Sequence, residues 1–142
     1  MSLKSVYSKV LRLFYPYAGT VYSRIGGKKT IDRLVDDFYQ VMKTDPIAKD
    51  CLATHKGDLS EVAQKLKEYL YGWLGGPQVF VKKYGHPRMR MRHIDIPIGL
   101  KEAEQWVYCM KRALQKSKID QDTQVEMLES MKHLAGIIIN QQ

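Results

Sequence analysis

The chain has 142 residues and a mass of 16.5 kDa, enough for one compact domain with one core. Its 44% hydrophobic and 27% charged content excludes global disorder and a low-complexity fibre, and no apolar run approaches the ~20 residues that cross a bilayer. Lysine and arginine total 23 against 15 acids, a net charge of +8, which leaves three classes of partner: nucleic acid, an anionic membrane surface, or an anionic ligand in a pocket.

The opening segment carries Leu3, Val6, Val10, Leu13 and Phe14 at helical spacing beside Lys4, Lys9 and Arg12, and stops at Pro16 or Gly19. It has no unbroken apolar stretch and no small-residue cleavage site, so a secretory signal is not expected. The expectation is an appended helical extension over residues 1–19 that covers apolar surface of the domain it precedes. Binding to an anionic membrane surface, disorder and self-association are the alternatives.

Beyond it the pattern is helical almost throughout, and strict alternation is nearly absent. From Lys28 to Thr44, Ile31, Leu34, Val35, Phe38, Val41 and Met42 form one stripe, closed by Asp45-Pro46. A second helix opens near Asp58, with Glu61 at capping-box spacing, carries Val62, Leu66, Tyr69, Leu70 and Trp73, and stops at Gly75-Gly76-Pro77. A third runs from Gly99 to Lys116 with Ala103, Trp106, Val107, Met110, Ala113 and Leu114 on one face. The last starts near Asp120 or Asp122 and carries Val125, Leu128, Met131, Leu134, Ala135 and Ile138. The fold class expected is all-α.

Between Pro77 and Pro97 only short helical pieces fit, because Gly85, Pro87 and Pro97 punctuate the stretch. All-α domains join their helices with ~2–8 residues, so so long an irregular segment points to function. Cys51 and Cys109 lie far apart without CxxC spacing, which argues against a zinc site or a disulfide scaffold and suits a reducing cytoplasm as buried free thiols.

Chemistry concentrates in that irregular segment. Lys82, Lys83, Arg88, Arg90 and Arg92 lead to His93, and Ile94, Ile96, Pro97 and Ile98 follow. A lone histidine in a basic cluster is ordinarily a surface residue. Here Arg92 adjoins the imidazole and Arg90 lies one turn back, placed to pair with carboxylates of a ligand, and the isoleucines offer an apolar wall. Haem combines these needs: an iron that takes a neutral imidazole nitrogen, a large apolar macrocycle, and two propionates that seek cations. The competing reading is a small helical nucleic-acid-binding module that uses the same cations on phosphates.

The run Gly85-His86-Pro87-Arg88-Met89-Arg90-Met91-Arg92-His93, with Pro97-Ile98, resembles the proximal signature of group II truncated haemoglobins. Tyr22-Ser23-Arg24-Ile25-Gly26-Gly27, Leu34-Val35-Asp36-Asp37-Phe38-Tyr39, Tyr71 to Pro77, and Gln105 to Met110 resemble further segments of that family, in family order. The resemblance implies a two-over-two helical sandwich over residues 20–142 around one haem b (iron protoporphyrin IX), with His93 as the proximal iron ligand. It also implies Tyr39 and Trp106 as distal hydrogen-bond donors, with His55 as a third, at a position where many members carry an aromatic residue. Each donor aimed at bound O2 is worth about 1.5–3 kcal/mol when well aligned, which makes for slow release.

Val62 stands where myoglobin-type globins hold their distal histidine and cannot donate, and Leu66 is expected as a pocket wall. Lys65 and Arg92 are expected near the propionates and Phe80 against the macrocycle. Either Tyr39 or His55 is a candidate to coordinate ferric iron directly. The function implied is reversible binding of O2, and of NO and CO, in a cytoplasmic protein, as transport or sensing. NO dioxygenation with an unidentified reductase, or peroxidase-like turnover, is the alternative. The chain is expected to be a monomer or weak homodimer, with no nucleic acid and no integral membrane segment as partner. His86 and His133 are expected to be structural or surface residues.

Overall fold

The computed structural model describes residues 2–142, and every regular element among them is helical. In chain order these are α1 (Leu3–Phe14), α2 (Val21–Ile25), α3 (Gly27–Thr44), α4 (Lys49–Ala53), α5 (Leu59–Trp73), α6 (Val79–Tyr84), α7 (Met89–Arg92), α8 (Leu100–Lys116) and α9 (Gln121–Ile137), with one 3-10 turn at Pro46–Ala48.

The stripe read on α3 is its buried face: Ile31, Leu34, Val35, Phe38, Tyr39, Val41 and Met42 are all inside. That face packs on α5 and α8, and α8 packs in turn on α9, which gives two helix pairs laid over one another. Met110 and Leu114 of α8 meet Met127 and Met131 of α9 in the same core. Each fully buried side chain of this size stabilises by roughly 1.5–3 kcal/mol.

Local signals set the helix ends. Asp58 Oδ1 accepts from the Ser60 amide at 2.9 Å, and Asp120 caps α9 through the Thr123 amide at 3.0 Å. At the start of α8, Glu102 reaches back to the Gly99 amide at 3.0 Å. Two glycines are required by geometry. Gly26 joins α2 to α3 at φ +109°, and a Cβ on Gly76 would sit 2.4 Å from the Tyr22 ring. Tyr22 also donates its amide to the Leu74 carbonyl at 2.9 Å, so α2 is pinned to the end of α5.

Two expectations change. Val125 is 53% exposed and Met127 takes its place on the α9 stripe, whose Met131 and Ala135 are buried as expected. The second change concerns α1. No residue of α1 is buried, and its apolar side chains, from Leu3 at 89% to Phe14 at 74%, face solvent. This helix does not cover the domain.

Candidate functional site

The segment from Val79 to Ile98 is built to turn sharply. Gly85 at φ +80° ends α6, and Arg88 at φ +46° starts α7, a conformation that costs a non-glycine residue roughly 1–2 kcal/mol. The Arg88 amide donates to His86 Nδ1 at 3.1 Å, which offsets part of that cost. Arg92 anchors the bend from the other side. Its guanidinium donates to the carbonyls of Tyr84 (2.9 Å) and His86 (3.3 Å) and lies 5.1 Å from the Phe80 ring centroid.

The turn delivers His93. Its Nδ1 lies 2.6 Å from the Met89 carbonyl, an obligate acceptor, so Nδ1 carries the proton of the neutral ring and Nε2 keeps its lone pair. This is the acceptor that the sequence could not supply, and it creates the imidazole form that ligates metals. Asn140, beyond α9, holds the loop in place. Its Nδ2 donates to the carbonyls of His93 (2.9 Å) and Ile96 (2.8 Å), and its Oδ1 accepts from the Ile98 amide at 2.9 Å.

His93 opens onto a cavity of about 480 Å³, a size suited to a cofactor. Tyr39, His55, Val62, Lys65 and Leu66 line it together with Phe80, Arg92, His93 and Trp106, so these nine residues reach one space. Its apolar wall extends through Ile96 and Ile98 of the loop and Leu134, Ala135 and Ile138 at the end of α9. Phe80 is buried between Tyr69, edge-on at 5.7 Å, and Tyr84, tilted at 4.9 Å. Lys65 is exposed at the rim, with Nζ 5.5 Å from the Tyr84 ring centroid.

Tyr39 and Trp106 both pack edge-on against Phe38, at 4.8 and 5.1 Å. Tyr39 is 6% exposed, and burial, with the Cys51 sulfur alongside, pushes its hydroxyl well above the ordinary tyrosine range. It therefore keeps its proton. Neither the Tyr39 hydroxyl nor the Trp106 indole N–H has a hydrogen-bond partner among the described residues. Both residues line the cavity, so a ligand inside it would meet two donors with no competing acceptor among the described residues.

His55 differs from the expectation of a third donor. Its ring stands perpendicular to Tyr39 at 5.9 Å, but Nδ1 lies 3.0 Å from the Cys51 carbonyl. The nearby Thr54 hydroxyl already donates to that same carbonyl at 2.7 Å, so Nδ1 is the proton carrier here too. In its neutral form His55 offers the cavity a lone pair. Cys51 itself is fixed by α8: Gln105 Oε1 accepts its amide at 2.8 Å and Gln105 Nε2 donates to Asp50 at 2.8 Å.

One cation and one isoleucine expected around the ligand, Arg90 and Ile94, instead line an open neighbouring groove of about 940 Å³ with Arg88, His86 and His133. Asn140, Met89 and Glu102 are the contributors that periodicity missed; only Glu102 left a trace, three residues after Gly99. Cys51 and Cys109 are buried free thiols, pushed by burial up to about 12 and about 11. The residues present fit an iron porphyrin: one imidazole with a free Nε2, apolar walls, and Lys65 and Arg92 as cations for the carboxylates.

Comparison with known proteins agrees. The bacterial-like globin family matches residues 20–140. A group 2 truncated haemoglobin of Bacillus subtilis is 31% identical over 115 residues, which cover 81% of this chain and 85% of that one. Among solved structures, the group II 2-on-2 haemoglobin of Agrobacterium tumefaciens superposes with a TM-score of 0.83 at 39% identity, over 87% of this chain and 95% of its own. The cold-adapted truncated haemoglobin of Pseudoalteromonas haloplanktis gives 0.83 at 36% identity, over 87% and 99%. With sequence, helix arrangement and cavity in agreement, this chain belongs to the bacterial-like globins, in the group II truncated haemoglobins, whose general business is haem and oxygen.

Proposed function

We propose that the cavity holds haem b, with His93 as its axial ligand, and that the protein binds O2, and NO and CO, reversibly and with slow release. The observation that carries this is the pairing of an imidazole lone pair at His93 with two unpartnered donors, Tyr39 and Trp106, in one cavity.

Haem, if held here by His93, would supply an iron able to bind a diatomic gas. The chain does the rest. The Met89 carbonyl holds the proton on His93 Nδ1 and makes Nε2 more basic. Phe80, Leu66 and Val62 give the macrocycle apolar contact and exclude water, which lowers the local dielectric and strengthens every hydrogen bond inside. Lys65 and Arg92 stand at the wall as partners for carboxylates. Tyr39 and Trp106 would hold a bound ligand as hydrogen-bond donors, most strongly where that ligand carries negative charge. A hold of this strength suits sensing or chemistry better than rapid delivery.

The test is direct. Purified protein should show a haem spectrum that His93→Gly abolishes and added imidazole restores. A colourless preparation that takes up no haem, or a spectrum indifferent to His93→Gly, overturns the proposal.

A further inference from the structure

The family match begins at residue 20, and α1 lies before it. We propose that α1 is a membrane-surface anchor: it lies flat in the interface of a bilayer rich in anionic phospholipid, with its apolar face at the acyl boundary and its cations among the headgroup phosphates.

The helix divides cleanly. At about 100° per residue, Leu3, Val6, Tyr7, Val10, Leu11, Leu13 and Phe14 fall within an arc of about 160°, and Lys4, Ser5, Ser8, Lys9 and Arg12 occupy the rest. Every member of the apolar arc is exposed, from 37% at Leu11 to 89% at Leu3. So large an unbroken apolar stripe on a helix that buries nothing marks an interaction surface.

Charge selects the occupant. The first carboxylate in the chain is Asp32, so α1 and all that surrounds it in sequence carry only cations. Lys4 and Lys9 fall at the two borders of the apolar arc, where a long side chain lies along the interface and lifts its ammonium to the headgroups. Arg12 lies at the centre of the polar arc. Tyr7 and Tyr15, 66% and 64% exposed, add the amphipathic rings that favour the headgroup level. This is the composition of an interfacial helix.

A second copy of the chain is a poorer occupant. The open groove it would offer is bordered by the cations Arg88 and Arg90, which would face a cationic helix, on a protein of net charge +8. Phosphates of a nucleic acid would satisfy the cations but leave the apolar arc in water.

The experiment is co-sedimentation of the purified protein with vesicles of equal phosphatidylglycerol and phosphatidylcholine, against vesicles of phosphatidylcholine alone. The mixed vesicles should carry the protein down, and the neutral vesicles far less. Val10→Asp should abolish sedimentation, and Lys4→Gln and Arg12→Gln should each lower the partition constant about fivefold, which corresponds to ~1 kcal/mol per cation. All three variants should keep the parent absorption spectrum and melting temperature, because α1 buries nothing in the domain.

No sedimentation with the mixed vesicles, equal sedimentation with both kinds, or sedimentation that survives Val10→Asp overturns the proposal. So does a dimer in analytical ultracentrifugation that Val10→Asp dissociates while vesicles leave the protein in solution. None of these outcomes depends on the reading of the haem cavity.

Discussion

His55 and His93 are held by the same device: each directs Nδ1 at the backbone carbonyl four residues earlier, Cys51 at 3.0 Å and Met89 at 2.6 Å. Both rings line one cavity, and both neutral rings therefore bring a lone pair to it. Under the proposed function the cavity is thus asymmetric, with Tyr39 and Trp106 as donors and neutral His55 as an acceptor. Tyr39→Phe and Trp106→Phe should each speed O2 dissociation about 10- to 100-fold, the kinetic equivalent of one charge-assisted hydrogen bond. His55→Phe should leave that rate little changed. Stopped-flow displacement of O2 by CO measures all three, and an acceleration in His55→Phe as large as in Tyr39→Phe would show that the ring donates after all.

The same asymmetry bears on the oxidised protein. Burial keeps the Tyr39 hydroxyl protonated, which disfavours tyrosinate as an internal ligand, whereas His55 is already in the ligating tautomer. In resonance Raman spectra of the ferric protein without added ligand, any low-spin six-coordinate species should vanish in His55→Ala and persist in Tyr39→Phe. The reverse pattern would assign internal coordination to the tyrosine.

Asn140 makes a prediction that no family motif would suggest. Its side chain bonds to His93, Ile96 and Ile98, so it sets the position of the loop that delivers the proximal imidazole. Each bond is worth about 0.5–1.5 kcal/mol, and exposure of the side chain favours the low end. Asn140→Ala should raise the rate of haem loss to an apomyoglobin scavenger about tenfold, while Tyr39-dependent O2 kinetics in the loaded fraction stay near parent values. An unchanged rate of haem loss would mean that the loop holds its shape without the tail.

What could be read from the sequence was whatever repeats or sits close in the chain. The α3 stripe is buried as its 3.6-residue period implies, and the run before His93 marks the bend that brings that residue to the cavity. Asn140 was not, because its bonds reach back across 47 and 44 residues and a polar residue in a tail has no periodic signature. The tautomer of His55 was equally hidden: it depends on where the Cys51 carbonyl points, and the resemblance that implied a donor says nothing of that carbonyl. Arg90 and Ile94 were assigned to the ligand by proximity in sequence, but one turn of α7 sends them to the neighbouring groove. For α1, amphipathicity was legible and its target was not, since a stripe fits a core and a membrane equally well.

Gly76 tests the packing that frames the site. The Tyr22 ring lies against its Cα, and a methyl group there would meet three ring atoms at 2.4–2.8 Å, too close for a rigid aromatic to yield without moving α2. Gly76→Ala should destabilise by about 1–3 kcal/mol and lower the melting temperature by roughly 3–10 °C. Gly85→Ala, in open space but at φ +80°, should cost less, with only backbone strain to oppose it. Equal losses in the two variants would show that backbone conformation and not the Tyr22 contact governs at Gly76.

The Tyr108–Asp45 bond fixes a pH window for stability. The Tyr108 hydroxyl donates to Asp45 Oδ2 at 2.6 Å and the Ile47 amide to Oδ1 at 3.0 Å, which together hold the Asp45 carboxyl below the usual carboxylate range. In turn the carboxylate raises the Tyr108 hydroxyl above its usual range. Near pH 4 the unfolded chain binds more protons than the folded one, so stability from Asp45 is present above about pH 4 and lost as the pH falls further. Asp50, Asp58 and Asp120, each lowered by hydrogen bonds it accepts, act in the same direction. Near pH 10 the folded chain keeps the Tyr108 proton longer, so that contribution is lost as the pH rises through and beyond about 10. Melting temperature followed by circular dichroism should therefore be flat between these limits and fall on both sides. Tyr108→Phe should lower the plateau, flatten the acid limb and remove part of the alkaline one, while Asp45→Asn flattens the acid limb. If both variants keep the parent's acid limb, the bond does not form in solution.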